Sequence, residues 1–133
     1  MNCRTVIARI GVCAALFGCE MEPQSLKNGG LYAVEDGGGK FAIVKLLVVE
    51  KEGVHVRLYK NKFESRPTTV DPATLSLGSV KDPNGGGIGH LPITHGNFRA
   101  WQPSLIGDTV VTEEELEGYR MWRDGKGGYF GSK

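Results

Sequence analysis

Cysteine is missing from almost the whole chain: Cys3, Cys13 and Cys19 all lie within the first 19 of 133 residues. A disulfide-stapled body is thereby excluded, and so is a thiolate metal site within it. No apolar run reaches the roughly 20 residues that a membrane-crossing helix needs. Net charge is nearly absent too, at a formal +1. That excludes the broad positive field a nucleic-acid backbone demands, and equally an acidic solvating tail. A local basic group, Arg57, Lys60, Lys62 and Arg66, is all that points toward nucleic acid, and nucleic acid is disfavoured as a partner.

Recognisable catalytic motifs are also lacking. There is no Gly-x-Ser-x-Gly elbow to expose a nucleophile. The run Gly85-Gly86-Gly87-Ile88-Gly89-His90 has His90 where the dinucleotide fingerprint needs its last glycine. No Gly-Lys-Ser/Thr follows it, so it is not a Walker loop either. Asp36-Gly37-Gly38-Gly39-Lys40 fails the same tests and reads as a hairpin turn. The acids Glu113, Glu114, Glu115 and Glu117 are explained by helix capping and the helix dipole rather than by acid–base work. No catalytic residue, resident metal or cofactor is assigned, and the chain is not read as an enzyme.

What is present is an ordinary globular composition, with 40% hydrophobic and 23% charged residues and 20 glycines. Its length suits one domain and one core. Near the start, Arg4 and Arg9 precede the apolar run Ile10–Gly18, which has the proportions of a secretory h-region. Leu16-Phe17-Gly18-Cys19 resembles the bacterial lipobox. The resemblance implies cleavage before Cys19, lipid attachment at Cys19, and a cell-envelope or secreted address with membrane contact only through that anchor. Two other readings stay open: a true start at Met21, giving a cytoplasmic chain, or a core helix over residues 5–17.

Residues 20–30 read as a linker and 31–125 as one β-rich domain. Leu31–Glu35 is a short strand closed by the Asp36–Gly39 turn. Phe41–Glu50 is apolar on both parities, which suits a central strand covered on both faces. After the turn Lys51-Glu52-Gly53, the segment Val54–Lys60 alternates. Val54, Val56 and Leu58 then face the core while His55, Arg57 and Tyr59 share the other side. Asn61–Pro72 and Lys81–Gly87 are loops, Ala73–Leu77 is a strand or turn, and His90–Thr94 is an edge strand because Pro92 cannot donate to a central ladder. Phe98, Trp101 and Leu105 are expected to fold back over the sheet. Thr112 and Glu115 form a capping box and Val111 and Leu116 a staple, opening a helix over 113–124 that ends at Gly125. Residues 126–133 read as a flexible tail. The fold class is therefore mostly β with one C-terminal helix (α+β), either a small twisted antiparallel sheet or a partly open small barrel. Strand order and turns over residues 29–63 resemble the opening of Tudor-type small β-barrels, in which clustered aromatics form a ligand pocket.

The leading functional expectation is a non-enzymatic binding module for an unknown protein or small ligand. Its surface is expected at His55, Arg57 and Tyr59, with Phe63 and Trp101 nearby, since Arg, Tyr and Trp suit interfaces. One alternative is a cytosolic adaptor or immunity-type protein starting at Met21. Another is a small metal-dependent hydrolase using His55, His90 and His95.

Overall fold

The structure is a computed structural model, and it describes residues 26–79, 81–83 and 85–131. The signal-like segment, Cys19 and the first part of the linker lie outside these residues.

Among the described residues, five antiparallel strands make one sheet in the order β4-β3-β2-β1-β5. They are β1 (Gly30–Glu35), β2 (Phe41–Val49), β3 (Gly53–Phe63), β4 (Ile88–Thr94) and β5 (Ser104–Asp108). In the described residues two helices accompany them, α1 (His95–Ala100) and α2 (Glu117–Asp124), with a 3₁₀ turn at Pro72–Thr74. The partly open barrel is overturned, because β4 pairs with β3 and β5 pairs with β1, and no ladder joins β4 to β5. The sheet is open.

The apolar character of β2 on both parities has a direct cause in the packing, since both faces of the sheet are covered. Tyr32, Val34, Ala42, Val44, Leu46, Val54 and Val56 form one core with Ile93 and Phe98. The alternate residues Leu31, Ala33, Ile43 and Tyr59 form a second core on the other face, capped by Val70, Leu75 and Leu77. Residues 29–49 thus read as a doubly covered strand pair, as the hydrophobic pattern requires.

Several segments depart from expectation. The strand β5 has no clean alternation, and Leu105 stands 51% exposed at the sheet edge. It forms because β1 offers it an unpaired side, with Thr109 N–H donating to the Gly29 carbonyl just beyond it. Leu26, assigned to the linker, packs on the first core, and the Lys27 amide donates to the Tyr32 hydroxyl at 3.0 Å. The capping box is made: the Glu115 amide meets Thr112 Oγ1 at 3.2 Å and the Thr112 amide meets Glu115 Oε1 at 3.0 Å. It opens a turn over 113–116, however, and the helix itself starts at Glu117. The same Glu115 oxygen also accepts from the Lys45 ammonium, at 2.8 Å.

The tail assigned as flexible is pinned at several points. Phe130 exchanges backbone hydrogen bonds with Pro92 and Thr94 at 3.0 and 2.9 Å. It thereby bridges the outer side of β4, where Pro92 has no N–H to give.

Candidate functional site

The polar strand face expected to meet a partner is split by the structure into two regions of opposite character. His55, Arg57 and Tyr59 do project to the second face of the sheet, but His55 is 0% exposed. Helix α2 and the C-terminal segment close over it.

Four aromatic rings surround His55. Trp122 lies edge-on with centroids 4.4 Å away, Tyr119 at 4.7 Å, and Tyr129 at 5.2 Å, while His90 stacks at 5.1 Å. Close approach is built into the glycines. The Tyr129 ring packs on Gly53, and a Cβ at Gly118 would come within 2.7 Å of His90. Hydrogen bonds order the group. Tyr119 and Tyr129 each donate an O–H to Glu50, at 2.6 Å to separate carboxylate oxygens. Because the Tyr129 proton is committed, its oxygen accepts from His55 Nε2–H at 2.9 Å. His55 Nδ1 is then an acceptor, and His90 Nε2–H donates to it at 2.9 Å. The tautomers are assigned from this network. A chain of donors therefore runs His90, His55, Tyr129 and ends on the Glu50 carboxylate, with Tyr119 converging on the same group.

Electrostatics follow from the same contacts. Hydrogen bonds from Tyr119 and Tyr129 hold the Glu50 carboxyl below the usual carboxylate range. Burial pushes His55 down despite the nearby Glu50 carboxylate, and burial with the field of His55 pushes His90 down to about 4. Both imidazoles are neutral at pH 7. At its centre His55 is fully buried with both ring nitrogens bonded, as a buried polar group requires.

His95 does not join it as a ligand. Its Nε2 meets the Glu50 backbone carbonyl at 2.7 Å. With both His55 nitrogens engaged and His95 turned away, no group of three His, Cys, Asp or Glu among the described residues is placed to hold a metal. The hydrolase expectation is left without its ligand set.

Two and four residues along β3 the surroundings change. Arg57 and Tyr59 line an open cleft of about 450 Å³ with Leu31, Lys45, Leu77 and Glu115. Lys45 is 3% exposed, and its ammonium is held by Glu115 Oε1 at 2.8 Å and the Val110 carbonyl at 2.7 Å. Burial alone would raise the Glu115 carboxyl, but hydrogen bonds from Lys45 and the Thr112 amide outweigh it and hold the group ionised. Tyr59 is 9% exposed, and among the described residues its hydroxyl makes no hydrogen bond. Burial and the Glu115 charge raise its pKa, so it stays a protonated donor. Arg57 is partly buried in the field of Glu115, yet among the described residues it makes neither a hydrogen bond nor an ion pair.

The two aromatic candidates separate. Phe63 packs at the margin of the second core, on the Tyr59 side. Trp101 packs against Phe98 on the first core, across the sheet, and lines a different cleft of about 270 Å³ with Glu35, Asp36 and Lys62. It therefore does not share a surface with Arg57 and Tyr59. Sequence reasoning missed Lys45, Glu115 and Ser76 of the cleft. Lys45, a lone cation inside the apolar run of β2, was the available signal, because a buried lysine requires a partner.

Comparison with known proteins finds no matching family, no matching characterised protein and no matching solved structure.

Proposed function

We propose that the chain is a non-enzymatic binding module whose ligand enters the cleft at Arg57 and Tyr59. One observation carries the reading: Tyr59, a nine-tenths buried residue, and the partly buried Arg57 line one cavity, and neither the hydroxyl nor the guanidinium has a hydrogen-bond partner among the described residues. Buried polar groups are almost always paired, because leaving one unpaired costs about 1–3 kcal/mol. A ligand supplies the missing acceptors. The cavity volume also falls in the range typical of small-molecule sites. His55, although it belongs to the same strand face, supports the wall rather than the ligand.

The test is a fragment screen by ¹H–¹⁵N correlation spectra of the full chain. Binders should shift amides of β3 around Arg57 and of residues 72–77, and Arg57→Ala should abolish those shifts. A screen whose binders all cluster elsewhere, on the Trp101 cleft for instance, overturns the assignment.

For the address we propose an envelope lipoprotein tethered through Cys19. Its support is the sequence Leu16-Phe17-Gly18-Cys19 after an Arg-bearing apolar segment. In the described residues no helix is long and apolar enough to cross a membrane. Intact mass after bacterial expression decides it. A chain beginning at Cys19 with acyl groups, in the membrane fraction, supports tethering; an unmodified chain beginning at Met21 overturns it.

A further inference from the structure

Three charges meet in the cleft, and they do not cancel. Lys45 and Arg57 are cations, Glu115 is an anion, and Lys45 and Glu115 already neutralise each other in a 2.8 Å ion pair. One positive charge, Arg57, remains over. A guanidinium presents a planar fork that matches the two oxygens of a carboxylate. The Tyr59 O–H adds a third donor in the same cavity. Arg57 is partly buried and has no ion pair among the described residues, so a single negative charge is the complement this site lacks.

The rest of the lining is of another kind. Leu31, Pro72, Ala73, Leu75 and Leu77 form the walls. Leu31 and its neighbours belong to the second core, so the apolar wall is continuous with the interior. Such a wall favours an apolar ligand body by about 25 cal/mol for each Å² it removes from water. A phosphate dianion fits less well, because Lys45 is committed to Glu115 and Val110, and among the described residues lining the cleft Arg57 alone is a cation without an ion pair.

We infer that the cleft takes a monocarboxylate with an apolar body, its carboxylate on the Arg57 fork and the Tyr59 hydroxyl and its chain along Leu75 and Leu77. This rests on the reading of the cleft as the binding site and names the class of ligand.

The experiment titrates the full chain with hexanoate, hexanol and inorganic phosphate in parallel, followed by amide shifts at Arg57, Tyr59 and residues 72–77. Hexanoate should bind at least tenfold more tightly than hexanol. Arg57→Met, which keeps the aliphatic stem, should remove that preference, and Tyr59→Phe should weaken hexanoate roughly threefold to tenfold. Thermal unfolding of both variants establishes that they fold. Equal binding of hexanoate and hexanol in the cleft overturns the carboxylate while leaving the cleft as the binding site. Phosphate binding as tightly as hexanoate overturns it in favour of a phosphate ligand. No cleft shift with any of the three probes overturns the inference, and the fragment screen then decides separately whether the cleft binds anything.

Discussion

His55 and Tyr59 stand four residues apart on one strand and on one face of it, yet their polar atoms meet opposite fates. Around His55 every contact closes. Tyr129, His90 and Glu50 satisfy its two nitrogens, and Trp122 covers the ring. Around Tyr59 and Arg57 the sheet is equally well packed below but is left open above, with donors that nothing in the described residues accepts. The difference teaches which part of this face is bonded within the fold and which is left with unused donors among the described residues. A histidine cluster looks like chemistry in sequence, but here its hydrogen-bond chain is complete and works as a clasp for α2 and the C-terminal segment. On the proposed reading, incomplete bonding, and not the presence of titratable residues, marks the binding region.

The comparison is broken most forcefully at the closed end. His55→Ala removes a fully buried ring and two hydrogen bonds, and should cost about 3 kcal/mol of folding free energy in urea denaturation. A loss under about 1 kcal/mol would mean that the clasp does not hold the fold.

Acid should loosen the same region. The folded values of His55 and His90 lie below the ordinary 6.5, His90 at about 4. In this case the unfolded chain binds protons first as pH falls. The stabilising contribution is therefore complete above about pH 6.5 and is lost as pH drops toward 4. With screening of the partly exposed His90, the loss is on the order of 2 kcal/mol. Denaturation midpoints between pH 7.5 and 4.5 measure it, and His90→Asn should flatten the dependence. Glu50, whose folded value is also depressed, extends the loss below its ordinary value of 4.5.

A smaller effect separates the two tyrosines. Tyr129→Phe strips Glu50 of a donor and His55 of an acceptor, and should cost about 1–2 kcal/mol. Tyr59→Phe removes a hydroxyl that has no partner in the described residues, so stability should stay within about 0.5 kcal/mol or rise. Equal losses at both positions would erase the distinction between a clasp and a cleft.

Much of the scaffold was legible in the residues. Apolar residues on both parities over 41–49, interrupted only by Lys45, announced a strand covered twice, and the alternation of Val54 and Val56 set the faces of β3. Pro92 correctly marked an edge. The clasp was not legible, because its members are far apart in the chain: Tyr119 and Tyr129 reach Glu50 across 69 and 79 positions. Alternation tells which side of a strand a residue takes, but not whether another element will cover that side. His55 was therefore placed with Arg57 and Tyr59 on an open surface. The strand β5 escaped notice for a related reason, since Ser104-Leu105-Ile106-Gly107-Asp108 has little strand character of its own and is recruited by the free edge of β1. Trp101 falls on the other side because it closes α1, which packs Phe98 and Trp101 together on the first core.

The most direct measurement is a hexanoate titration of the wild-type chain beside Tyr59→Phe and Tyr129→Phe, with unfolding curves recorded on the same samples. The account requires that Tyr59→Phe weaken binding threefold to tenfold at unchanged stability, while Tyr129→Phe lowers stability and leaves the affinity of the folded protein intact. The reverse pattern, with binding governed by Tyr129 and indifferent to Tyr59, would contradict it and move the site to the histidine cluster.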